Sequence, residues 1–87
     1  MYVILVYDFG EKRVNKMLKL CRKYLNWIQN SVFEGELSEV QLRSLQSEAE
    51  LFMDKEVDSI IVFTSRENYW LQKRIIGKEL VSLDNFI

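Results

Sequence analysis

The chain opens on a run of apolar positions, Met1-Tyr2-Val3-Ile4-Leu5-Val6-Tyr7, closed by the acid Asp8. Its β-branched and aromatic content, with no helix cap before it, predicts a strand. Because nearly every position is apolar, both faces of that strand are expected to be covered. The period then changes. Val14, Met17, Leu18, Cys21 and Leu25 recur at the spacing of one helical face, which predicts a helix from Arg13 to Leu25. From Asn26 to Leu37 the residues Trp27, Ile28, Val32, Phe33 and Leu37 stand among polar ones, and Gln29-Asn30-Ser31 supplies turn chemistry. A short strand, a tight reversal and a second strand are expected there, with Gly35 as a bulge. Ser38 and Gln41 have the spacing of a capping box, opening a helix that runs to about Met53 with Val40, Leu42, Leu45, Ala49 and Phe52 inward. Asp58 to Ser65, containing Ile60-Ile61-Val62-Phe63, reads as another strand apolar on both faces.

Strand, helix, strand, strand, helix, strand is the split βαβ order, so the expected class is α+β, ferredoxin-like βαββαβ. At 87 residues the chain is expected to be a single domain, residues 1–87, burying only about 60 to 70% of its unfolded surface. Yet 48% of it is hydrophobic and 13% aromatic, which is rich for that size. The tail holds much of the surplus: Tyr69, Trp70, Leu71, Ile75, Ile76, Val81, Leu83, Phe86 and Ile87 make it too apolar for a disordered terminus. Trp70 to Gly77 is expected to add a C-terminal strand, and the segment from about 70 to 87 to pack on the other protomer of a homodimer.

Composition removes several chemistries. The sequence has no His and one Cys, which excludes imidazole catalysis, disulfides and the usual zinc sites. Cys21 shares the apolar face of the first helix and reads as a packed thiol. Any catalysis must use carboxylates, tyrosines, serines, lysines or an oxygen-bound metal. No run of about 18 apolar residues exists and no signal-peptide pattern opens the chain, so a cytoplasmic protein without a membrane partner is expected.

The formal net charge of -1 conceals a strong segregation. Lys12, Arg13, Lys16, Lys19, Arg22 and Lys23 crowd the first helix with no acid among them, while Glu39, Glu48, Glu50, Asp54, Glu56 and Asp58 dominate the second and its exit. Lys12, Lys16, Lys19 and Lys23 step by four, three and four, forming a ridge that a phosphate backbone could follow. The alternative is a solvated helix face, although the i to i+4 acid partners usual there are missing. Asp8 is the leading candidate for chemistry: an acid on rigid backbone where a sheet meets solvent can hold a cation or activate water. It could equally be a turn residue or a cap for the helix that follows.

Tyr7-Asp8 at the end of the first strand, Gln29-Asn30-Ser31-Val32-Phe33-Glu34-Gly35 in the hairpin and Ile76-Gly77 in the tail together resemble the CRISPR-associated protein 2 family. The resemblance spans the chain in order and spacing. It implies a ferredoxin-like homodimer that acts in spacer acquisition, bound to the integrase CRISPR-associated protein 1. It also implies a metal-dependent endonuclease acting on RNA or double-stranded DNA, with Mg²⁺ or Mn²⁺ as cofactor. Asp8 matches the family's metal-binding and catalytic aspartate, whose two copies face each other across the dimer axis. Lys12 and Arg13 lie near the family's basic positions after that aspartate, without a one-to-one match. Trp27 replaces a basic residue found two positions before the glutamine in many relatives, so that phosphate contact does not carry over. Ser31 and Phe33 match and, with Tyr7, are accessory candidates; Phe33 and Tyr7 can also be read as packing residues and Ser31 as a turn residue.

Three functional readings follow. One is a phosphodiesterase with Asp8 from each subunit on a metal and Lys12, Arg13, Lys16, Lys19 and Lys23 on the nucleic acid. The second is a non-catalytic scaffold holding DNA between integrase dimers. The third is a ferredoxin-like ligand-sensing module, disfavoured because only Gly10, Gly35 and Gly77 are available for a glycine-rich ligand loop.

Overall fold

The computed structural model describes residues 1–66. Its elements are β1 (Tyr2–Asp8), α1 (Val14–Tyr24), β2 (Asn26–Gln29), β3 (Val32–Glu36), α2 (Glu39–Glu50) and β4 (Ser59–Ser65). The strands form one antiparallel sheet in the order β2-β3-β1-β4, the ferredoxin-like arrangement, with the first strand central. The expected strand over Trp70 to Gly77 and the packing of the segment to Ile87 lie outside the described residues.

Alternation along β1 explains how the layers meet. Val3, Leu5 and Tyr7 are buried under the helices, while Tyr2, Ile4 and Val6 point to the other face and are half-buried. Phe33 from β3, Met17, Leu20, Cys21 and Leu25 from α1 and its exit, Leu45 and Ala49 from α2, and Phe9 and Leu37 from the connections complete the core. Trp27, paired with Phe33 across β2 and β3, lies on the same side and packs on this core.

The helices begin in different ways. Ser38 and Gln41 form the expected capping box, with Gln41 N donating to Ser38 Oγ at 3.1 Å and Ser38 N to Gln41 Oε1 at 2.9 Å. At α1 the Gly10 carbonyl accepts from the N–H groups of Arg13 and Val14, at 2.9 and 3.0 Å. Asp8 therefore caps nothing: the helix starts beyond it, at an N-cap, Arg13, without a side-chain cap bond.

Several expectations are corrected. The irregularity in the hairpin falls between Trp27 and Gln29 of β2, and Gly35 stays in register opposite Val3. Gly35 is small for another reason: a Cβ there would approach Leu25 Cδ2 at 3.1 Å. Asn30 takes the left-handed turn conformation, φ 46°, which its short amide side chain tolerates. Val40 is 67% exposed rather than inward, since Leu42, Leu45 and Ala49 define the inward face of α2 and Val40 lies on the opposite side of the helix. Neither β1 nor β4 is covered on both faces by the described residues; Ile61 and Phe63 are each 53% exposed. Cross-strand partners share a face, so Val6, Val32 and Ile61 stand together on the open side, and Ile4 stands beside Phe63.

Candidate functional site

Asp8 ends β1 on that open side. It is exposed, its side chain has no hydrogen bond or ion pair among the described residues, and its partner in β4 is Ser59, also exposed. The β2–β3 turn approaches from the other flank, where Tyr7 N donates to Ser31 O at 3.1 Å. The carboxylate is thus an oxygen donor on a fixed strand end, bordered by an apolar surface and a hydroxyl. Among the described residues no group of three or more His, Cys, Asp or Glu could hold a metal, so one chain offers Asp8 as a single hard ligand.

Tyr7 points the opposite way from Asp8. The residue is 4% exposed, and its ring meets Phe9 edge-on at 5.7 Å and stacks near Phe33 at 6.2 Å. Desolvation raises the pKa of its phenol, and the Ser31 side chain partly offsets this. Phe33 is fully buried. Both aromatic residues therefore support the strand end from beneath, and Ser31 joins them to the turn.

The basic residues separate into held and available ones. Arg13 turns inward and pairs with Asp58, Nε to Oδ2 at 2.6 Å and Nη2 to Oδ1 at 3.1 Å. Lys23 reaches α2, donating to Glu48 Oε1 at 2.9 Å, and the Tyr24 hydroxyl donates to the other carboxylate oxygen. These donors hold the Glu48 carboxyl below its ordinary pKa, the tyrosine having the larger effect. The acids missing from α1 itself are in this case supplied by α2. Lys16 lies 6.0 Å from the Phe52 ring centroid, at the limit of a cation–π contact, and remains exposed. Lys12 and Lys19 are exposed with no ion pair among the described residues. The ridge survives as Lys12, Lys16 and Lys19.

Asp58 was not singled out from the sequence as more than one acid among several. Its side chain is fully buried and accepts from Gly10 N at 2.7 Å and Asp54 N at 2.8 Å as well as from Arg13. The Arg13 guanidinium and these amides hold its carboxyl far below the usual aspartate range, against the opposing effect of desolvation. The available sequence signal was the pairing of an acid just before a strand with a lone Arg after a Gly corner. No helix among the described residues is long and apolar enough to cross a membrane.

Residues 1–73 match the family model described as CRISPR associated protein Cas2. A protein of Dictyoglomus turgidum named CRISPR-associated endoribonuclease Cas2 is 46% identical over 79 residues, 91% of each chain. One of the same name from Fusobacterium nucleatum is 41% identical over 92 aligned positions, covering 100% of this chain and 87% of that one. Among solved structures, a crystal structure of cas2 superposes with a TM-score of 0.86 at 37% identity, covering 95% of this chain and 93% of the other.

Proposed function

The chain belongs to the CRISPR associated protein Cas2 family, and from that premise we propose that it serves CRISPR adaptation as a nucleic-acid-binding homodimer with endonuclease capacity centred on Asp8. Relatives bear the name endoribonuclease, and in this reading the substrate is single-stranded RNA or double-stranded DNA. The observation that carries the reading is the place of Asp8: an exposed, unpaired carboxylate at the rim of an open apolar sheet face.

A second copy laid on that face would cover Ile61, Phe63, Ile4 and Val6 and bring a second Asp8 to the same rim. One carboxylate leaves most of an octahedral Mg²⁺ or Mn²⁺ to water, whereas two, with waters and a phosphate oxygen, hold the ion more firmly. Such an ion, when bound, polarises the scissile phosphate and lowers the pKa of its water. This chain's own part is to hold the ligand on a strand and to grip the backbone with Lys12, Lys16 and Lys19, each of them exposed. Cleavage by Asp8→Ala, freed of contaminating nuclease, should be lost while the dimer still melts cooperatively. Full cleavage by that variant would sink the enzymatic reading.

A second reading keeps the dimer and drops the chemistry: a scaffold that holds duplex DNA for the integrase, CRISPR-associated protein 1. The exposed, unpaired Lys12 and Lys19 favour it. It predicts that Lys16→Glu with Lys19→Glu damages spacer acquisition and Asp8→Ala spares it; the reverse pattern excludes it.

A further inference from the structure

Asp58, Arg13 and Gly10 lie on the covered side of the sheet, beneath the end of the strand that carries Asp8. Asp8 pairs with Ser59 across β1 and β4, and Gly10 N donates to Asp58 Oδ1 at 2.7 Å. Asp8, Phe9, Gly10, Asp58 and Ser59 therefore form a closed loop of chain and hydrogen bonds, with Asp8 and Ser59 outside and Asp58 inside. Phe9 within that loop is 9% exposed and packs against Tyr7 and Phe52. Asp58 also takes the N–H of Asp54 at 2.8 Å, which ties in the α2–β4 connection.

We propose that the Asp58–Arg13–Gly10 cluster is a positioning clamp for Asp8, setting the direction of its carboxylate and hence the affinity of the site for a divalent cation. The inference rests on Asp8 being a metal ligand. Its support is geometric: strand pairing fixes Asp8 on the β4 side, and the backbone is next restrained two residues later, at the N–H that Asp58 holds. Arg13 fits this role better than a phosphate contact, because its guanidinium is committed to a carboxylate with no exposed side-chain surface. The glycine belongs to the same device. A Cβ at position 10 would stand 2.5 Å from Arg13 Nη2 and 3.5 Å from Asp58 Oδ1, so any larger residue must displace the guanidinium.

Mn²⁺ binding to the full-length dimer, read by electron paramagnetic resonance below the melting temperature, tests the clamp. Wild type should bind Mn²⁺ and Asp8→Ala should not. Asp58→Asn and Gly10→Ala should each weaken binding about tenfold, the loss typical when a group orienting a metal ligand is removed. Arg13→Lys, which keeps the charge but not the forked geometry, should recover part of that loss relative to Arg13→Gln. If Asp58→Asn does not fold, Gly10→Ala carries the test, since it preserves every charge. Wild-type Mn²⁺ affinity in folded Asp58→Asn or Gly10→Ala would overturn the clamp and leave the Asp8 site standing. Equal binding by wild type and Asp8→Ala would overturn the metal site, and the clamp's part in it.

Discussion

Asp8 and Asp58 lie at the same end of the sheet, Asp8 directly opposite the residue that follows Asp58, yet their surroundings are opposite. Asp58 is buried, with both carboxylate oxygens taken by Arg13 and two backbone amides. Asp8 faces solvent, with no such donors among the described residues. A carboxylate filled by protein donors stabilises a fold, because its pKa is depressed and its lone pairs are occupied. One left to water keeps its lone pairs for a cation. The lesson is that residue type does not assign the role; the alternation of a strand does, by sending neighbouring positions to opposite faces.

The largest effect expected from this contrast is in catalysis. Asp8→Ala should reduce cleavage by about a thousandfold or more, while its melting temperature stays within about 2 °C of wild type, as for other exposed substitutions. Early melting of that variant in calorimetry would erase the distinction between the two acids. The same division separates two phenylalanines. Phe33→Ala should cost about 3–5 kcal/mol in denaturant unfolding because Phe33 is wholly enclosed. Phe63→Ala should leave the unfolding of the isolated protomer within about 0.5 kcal/mol but favour monomer in sedimentation, since Phe63 is 53% exposed on the face assigned to the second copy.

Acid titration sharpens the contrast further. Asp58 has a pKa below the ordinary 3.8, so its stabilisation is complete above that value and is lost as the pH falls below it, where the unfolded chain binds the proton first. Thermal stability of Asp58→Asn should therefore fall less than that of wild type between about pH 5 and pH 2. The smallest effect concerns the lysines. Lys19→Gln should lower the salt slope of DNA binding by about 0.9 if one phosphate contact is lost. Lys23→Gln should change it less, because Lys23 is already engaged by Glu48.

Much of this fold was legible in the sequence because local signals agreed with the tertiary answer. The Ser38–Gln41 capping box, the helical spacing of Met17 and Cys21, and the turn residues around Asn30 each act over a few positions. The order of elements then left few topologies. Asp8 was legible for the same reason: the acid that ends an apolar run marks where a strand meets solvent. What stayed hidden depends on contacts distant in sequence. Nothing local joins Arg13 to Asp58, 45 positions away, so Arg13 looked like a member of the lysine ridge. Lys23 and Glu48 stand on different helices, and within α1 alone Lys23 had no acid to meet. Apolar composition also predicted cover on both faces of β1 and β4, whereas a chain can place apolar residues where a second molecule, rather than its own core, will cover them.

The closed loop through Asp8 and Asp58 also bears on how lineages of this protein can vary in length. Asp58 points inward and Ser59 outward only because β4 begins where it does. Inserting one residue into the connection before it would set Asp58 beside Asp8 and Val57 toward Arg13, whereas deleting one would set Ser59 toward Arg13 and Ile60 beside Asp8. Either change would cost the fold its anchor, and the insertion alone would give the rim a second acid. Surviving indels in that connection should therefore come in compensated pairs or be absorbed upstream of Asp54, whose N–H the anchor already holds.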